Sequence, residues 1–272
     1  MNAPEKLPVF YIPHGGGPWH VMDDYMGDPE GYGMLKNYLE KLGKEYLEKI
    51  KSLLVISAHW EEPLPAVHFG NKPSMFYDYY GFPAFTYRLS WPAPGNPELA
   101  AHIEQLLKQS GFQTKPETER GYDHGTFVPM MIAFPEANIP TAQLSLVEGL
   151  NPALHIALGK ALEPLRSQKV LIICSGMSYH NLQAMMTGSK HVEDDSKRFD
   201  DWLTVAVELE NIEERNEKLI NWLKAPAARE SHPRSEHLVP LFVAAGAAGN
   251  DSGHRDYSGI LLGASISGFK FG

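Results

Sequence analysis

Twelve histidines are spread over the 272 residues. Half of them stand in short motifs beside Gly, Pro or Ser, at the ends of apolar or helical runs: His14, His59, His124, His180, His232 and His237. Neutral imidazole is the commonest protein ligand for transition metals, and a catalytic metal site keeps positions open for water or substrate. Histidines gathered from scattered loops therefore point first to a metal centre. Their spacing lacks the fixed register of an HExxH helix, so the pattern leaves a rival chemistry open. His14-Gly15-Gly16-Gly17 matches the HGGG segment with which some esterases face an oxyanion. Gly176-Met177-Ser178-Tyr179-His180 approaches a nucleophile elbow, with histidine where the last glycine of GxSxG belongs. A serine hydrolase would then use Ser178 and His237. A phosphate loop is disfavoured, because HGGGP does not open an obvious helix and no GxxxxGKS or GxxxxGKT occurs. The remaining histidines, His20, His68, His102, His155, His191 and His254, have neighbours that suggest only surface or core roles.

The elements that must position these side chains are legible around Lys51–Trp60, KSLLVISAHW. Its run from Leu53 to Ile56 has the continuous, β-branched character of a strand buried on both faces, and it stops at His59. Pro8–Ile12 precedes His14 in the same way, and Val170–Cys174 precedes His180. In open α/β sheets ligands bind beyond the carboxyl ends of the strands, which is where these histidines fall. Leu35, Tyr38, Leu39, Leu42, Tyr46, Leu47 and Ile50 recur at helical spacing, predicting a helix over about 34–51. Further helices are expected over 97–110, after Thr126, and over 152–166, 193–209, 213–223 and 236–248. The proline- and aromatic-rich stretch 61–97 reads as an excursion over the ligand-bearing edge, with Phe85–Trp91 its best strand candidate; strands are also expected over 140–147 and 260–269, and a loop over 225–235. Tyr79, Tyr80, Phe82 and Trp60 are candidates for the wall of an aromatic pocket. The fold class this implies is α/β: a single domain over 1–272, with a central, mostly parallel sheet flanked by helices and a metal site at the C-terminal ends of the strands.

Hydrophobic residues make up 43% of the chain and charged residues 21%, an ordinary globular composition, and a net charge of −9 offers no basic patch to nucleic acid or anionic lipid. The first residues lack a signal-peptide pattern, and no window of about 18 apolar residues predicts a membrane span. A cytoplasmic protein is expected, with neither nucleic acid nor membrane as partner. No feature specifies an oligomeric state. The single cysteine, Cys174, lies inside an apolar run, reads as a core residue and suits a reducing compartment.

Taken together, PHGGGP (13–18), SAHW (57–60), DYYGFP (78–83), WPAPGNPELA (91–100), RGYDHGTFVPM (120–130), CSGMSYHNL (174–182) and HPRSEHLVPLFVAAGAAG (232–249) resemble the class III extradiol ring-cleavage dioxygenases, in particular the DOPA 4,5-dioxygenase-like subfamily. The resemblance covers nearly the whole chain, in the family's order. It implies a single α/β domain that holds a non-haem metal through histidines and uses O2 to open a catechol ring beside its two hydroxyls. It implies that His14 and His59 are metal ligands and His237 a further one. His180 is implied either as a ligand or as the residue lying against substrate and oxygen, and His124 as an acid/base residue. Fe(II) is the cofactor expected for activity, with Zn(II) accepted by the same ligands. The chain departs from the family's HGSP-like first motif in having HGGGP, a change that bears on the pocket floor more than on the metal. The alternatives to an active dioxygenase are the serine hydrolase and a metal-binding protein of this fold without the activity.

Overall fold

The computed structural model describes residues 6–272. Its strands are β1 (Val9–Pro13), β2 (Ser52–Ser57), β3 (Glu61–Glu62), β4 (Ala66–His68), β5 (Lys115–Glu117), β6 (Thr141–Gln143), β7 (Leu146–Val147), β8 (Val170–Gly176), β9 (Gly253–Leu261) and β10 (Ala264–Phe271). Six of them form one sheet in the order β6-β2-β8-β1-β10-β9. The first four are parallel, and β10 and β9 extend the sheet as an antiparallel hairpin. The helices are α1 (Pro29–Tyr46), α2 (Pro97–Gln109), α3 (His124–Ala133), α4 (Pro152–Leu162), α5 (Leu182–Met186), α6 (Val192–Val207), α7 (Ile212–Ile220), α8 (Ala228–Ser231) and α9 (Val239–Ala247).

Successive strand residues point to opposite faces, and here both faces are covered. Val9, Tyr11, Leu54, Ile56, Ile172 and Cys174 enter a core shared with α2, α4, α6 and α9. Phe10, Ile12, Leu53, Val55, Leu171 and Ile173 enter a second core with α1 and α3. Double coverage is why these strands read as unbroken apolar runs without alternation. Among the described residues no helix is long and apolar enough to cross a membrane.

The register of the central strands decides what reaches the ligand-bearing edge. Ile12 on β1 and Ser57 on β2 both pair with Ser175 on the intervening β8, so all three lie level across the sheet. His14 and His59 each follow that level by two residues. They therefore emerge at the same edge, two strand spacings or about 9.6 Å apart in backbone, a gap that two imidazoles can close.

Three expectations are corrected. Phe85–Trp91 is not a strand: Ala84–Arg88 is a 3-10 helix. The Tyr79 and Tyr77 hydroxyls donate to the carbonyls of Thr86 (2.7 Å) and Leu89 (2.6 Å), supplying partners that a neighbouring strand would otherwise provide. The run 140–147 is divided between β6 in the main sheet and β7, which pairs with β3. The closing run 260–269 spans a hairpin turn, with Leu262 and Gly263 at φ of 51° and 82° between β9 and β10. A Leu-Gly turn lacks the Asn or Asp that normally announces two left-handed residues in sequence.

Candidate metal centre

At the edge defined by that register, three imidazoles converge. The Nε2 atoms of His14 and His59 lie 3.2 Å apart, as do those of His59 and His237. His14 directly follows β1, and its carbonyl accepts a hydrogen bond from Trp19 Nε1 (2.7 Å). Gly15, at φ +74°, makes this lock feasible, because a Cβ there would fall 2.3 Å from the same indole nitrogen. The first glycine of HGGG thus lets Trp19 fold back and fix His14. His59 is held from the other side: Ser57 Oγ donates to Asp123 Oδ1 (2.7 Å), while Arg120 bridges Asp123 Oδ2 and the His59 carbonyl at 2.9 Å each. His237 arrives just ahead of α9, and its carbonyl accepts from Tyr11 Oη (2.8 Å) and the Met177 N–H (3.1 Å). A Cβ on Gly176 would fall 2.1 Å from that carbonyl oxygen, so the elbow-like GMSYH segment begins with glycine to admit His237.

Each Nδ1 in the trio has its own acceptor. His14 Nδ1 is 3.0 Å from Ser175 Oγ, whose hydroxyl proton goes to the Gly125 carbonyl, so the serine oxygen receives the imidazole N–H. His59 Nδ1 faces Asp78 Oδ2 at 3.4 Å, and His237 Nδ1 faces Glu236 Oε1 at 3.0 Å. With protons on Nδ1, the Nε2 atoms of His14 and His237 carry lone pairs, and the Asp78 carboxylate beside His59 Nδ1 favours the same tautomer for His59. Burial holds all three rings well below the usual imidazole pKa, and neighbouring imidazoles lower them further. Neutral rings whose lone pairs face a common point are a metal-binding donor set. Nitrogens about 2.1 Å from one ion stand roughly 3.0–3.4 Å apart, which the observed 3.2 Å satisfies.

Two more histidines flank the trio. His124, the first residue of α3, has its Nδ1 and its backbone N–H on Asp78 Oδ1 at 2.8 and 2.9 Å, and its ring centroid lies 4.0 Å from that of His59. His180 stacks on His237 with centroids 3.3 Å apart, and its Nδ1 faces Glu236 Oε1 at 3.3 Å. Burial alone would raise the Glu236 carboxyl; the His180 and backbone hydrogen bonds, with Arg234, outweigh it and hold the group below its ordinary range. All five histidines open on one cavity of about 550 Å³, otherwise walled mainly by aromatic and aliphatic side chains.

Comparison with known proteins gives this arrangement its context. Residues 9–269 match the family described as the catalytic LigB subunit of aromatic ring-opening dioxygenase. The chain belongs to that family. It is 39% identical over 268 residues to the 4,5-DOPA dioxygenase extradiol of Beta vulgaris, covering 97% of this chain and 96% of the relative. It is 28% identical over 243 residues to the protein of the same name from Escherichia coli, covering 89% and 85%. The crystal structure of an uncharacterized protein from Escherichia coli K12 superposes with a TM-score of 0.80 at 25% identity, covering 98% of this chain and all of that one. The chain is therefore a metal-dependent, non-haem extradiol dioxygenase of the DOPA-dioxygenase-like group, acting on an aromatic substrate with O2, as its motifs implied.

The hydrolytic alternative finds no support in this dioxygenase. Ser178 is 1% exposed, its Oγ accepts from the Ser267 N–H (2.8 Å), and it does not line the cavity. Of the other sequence candidates, His232 is a core residue, packed between Phe199 and Trp222 with Nε2 donating to the Ser178 carbonyl. Tyr79, Tyr80 and Phe82 line the cavity as expected, but Trp60 does not: it packs under Arg120 and donates to Glu62. Sequence reasoning missed Asp78, Ser175 and Glu236. Asp78, Ser175 and Glu236 all lie inside the quoted motifs, yet their roles depend on partners 19 to 161 residues away or on a ring orientation.

Proposed function

We propose that His14, His59 and His237 are the metal ligands of this dioxygenase, that the working ion is Fe(II), and that the substrate is a catechol. The convergence of three Nε2 atoms, on rings whose Nδ1 atoms face Ser175, Asp78 and Glu236, carries the reading. The same donors accept Zn(II), which is redox-silent. When bound, a ferrous ion supplies open coordination positions for both ring oxygens and O2, and the electron transfer between them. His180, the remaining candidate ligand, contributes no nitrogen to the trio and is placed instead with His124 beside the substrate.

The protein's own part is position and protons. His124 gives its Nδ1 hydrogen to Asp78, which leaves the Nε2 lone pair to take the proton of a ring hydroxyl as the catechol settles. Asp78 also receives His59 Nδ1, so one carboxylate orients a ligand and the base together. On the other flank, Glu236 orients His237 and His180 in the same manner, leaving His180 Nε2 as an acceptor beside the substrate, and the proton that His124 took is the one it returns as the ring opens. The apolar walls keep bulk water from these transfers. The enzyme is placed in the cytoplasm, a reducing compartment that suits its lone buried cysteine.

Metal analysis of anaerobically purified protein, joined to oxygen uptake with plain catechol, tests the assignment. Chelator-stripped protein should regain ring opening with Fe(II) and not with Zn(II). Full recovery with zinc alone would overturn the assignment of iron.

A further inference from the structure

The dioxygenase reading leaves open what the ring carries, and the cavity speaks to that. Its inner end is polar, with the five histidines and Asp78, whose carboxylate is already committed to His59 and His124. Outward from these the lining turns apolar, through Phe82, Met177 and Leu261 to Met26, Leu182 and Met186. No lysine or arginine is among the described lining residues. The rim is apolar: Tyr80, Met186, Leu182 and Met26 are 91%, 68%, 49% and 46% exposed, a collar continuous with the chamber.

Cations do occur in the adjoining cavity, which shares Met26, Met185 and Leu262 with this one. Both are already paired, Lys197 with Asp201 at 2.7 Å and Arg255 with Asp200 at 3.2 Å, and Asp28 and Glu30 leave that cavity with four carboxylates against two cations. A carboxylate on the ring would meet no free cation and would lie next to an acidic neighbour. An alkyl or aryl group would instead cover the collar, and methionine side chains adapt to such groups.

We propose that the preferred substrate is a catechol bearing an uncharged, apolar substituent, which leaves the chamber across Met26, Met185, Leu182 and Met186, and that Leu182 and Met186 on α5 determine this preference. The proposal rests on the ring-opening reading. It is tested by oxygen uptake of the iron-loaded protein with catechol, 4-methylcatechol, 4-butylcatechol, 3-(3,4-dihydroxyphenyl)propionate and dopamine. The kcat/KM value should rise along the alkyl series by up to about fourfold per methylene, equivalent to about 0.8 kcal/mol each. It should fall at least tenfold for the carboxylate and the ammonium relative to 4-butylcatechol. Met186→Lys and Leu182→Lys should each reduce the alkyl-to-carboxylate ratio at least tenfold. Turnover of plain catechol with a flat alkyl series, or with either charged compound preferred, overturns the substituent proposal and leaves the ring-opening reading standing. No oxygen uptake with any compound, plain catechol included, defeats both.

Discussion

Two sets of histidines in this molecule are shifted by burial in the same direction and do opposite things. His155 and His232 are fully buried, and burial lowers their pKa values to about 4 and about 3, the same direction in which it moves His14, His59 and His237. A depressed imidazole pKa therefore does not mark the site. The partners mark it. His155 gives its Nδ1 hydrogen to the Asn151 carbonyl (2.7 Å) and accepts the Val147 N–H at Nε2 (3.0 Å), so both nitrogens are consumed in tying α4 to β7. In the trio each Nδ1 faces an oxygen of Ser175, Asp78 or Glu236, and the Nε2 atoms are left facing one another. A buried lone pair without a donor is costly; His232 Nδ1 stands alone without a partner, whereas in the trio three nitrogens face a common point, an arrangement that suits a cation.

The sharpest way to break this contrast is to remove one ring from each set. His14→Ala, His59→Ala or His237→Ala should abolish stoichiometric metal binding and all oxygen uptake, while His155→Gln keeps the parent's metal content. Unchanged metal in all three alanine variants would dissolve the distinction. A next, smaller effect separates the flanking residues from the trio. His124→Phe should retain near-normal metal, measured by atomic emission, with turnover lowered on the order of a hundredfold or more, as for loss of a general base. Parent-like turnover would reduce His124 to a packing residue.

The anchoring of Nδ1 predicts a smaller change again. Asp78→Asn keeps the shape but weakens the acceptor shared by His59 and His124, so metal affinity or activity should fall by roughly tenfold to a hundredfold. No change in either would show that the carboxylate is incidental. The last effect belongs to His155 and leaves the site untouched, concerning stability alone. Its folded pKa lies below the unfolded value, so its contribution is complete above about pH 6.5 and is lost as the pH falls toward about 4, where the unfolded chain has taken up a proton that the folded protein refuses. That loss is on the order of 3 kcal/mol. His155→Gln should flatten the acid limb of the denaturation profile over this window; a limb identical to the parent's would remove His155 from the account.

How far the chain disclosed itself can be followed residue by residue. Helices over about 34–51 and 97–110 were expected from apolar spacing; α2 matches its range, α1 begins and ends about five residues earlier, and both are present because amphipathic periodicity is a local property. The runs ending at His14 and His59 identified two of the converging rings, since a strand buried on both faces is visible in composition alone. The strand expected at Phe85–Trp91 failed because tyrosine hydroxyls from elsewhere claimed its carbonyls, and no local signal encodes that.

Sequence by itself determined the α/β class, the family and the identity of the five histidines around the cavity, because each is written in short motifs or in periodicity. Tertiary structure decided which nitrogens meet. The shared level of Ile12, Ser175 and Ser57, the approach of the His237 carbonyl to Gly176, and the reach of Asp78 and Glu236 to two rings each are relations between distant segments. Such relations exist only once the sheet has set its register, and so do the stacking of His180 on His237 and the apolar collar at the cavity mouth.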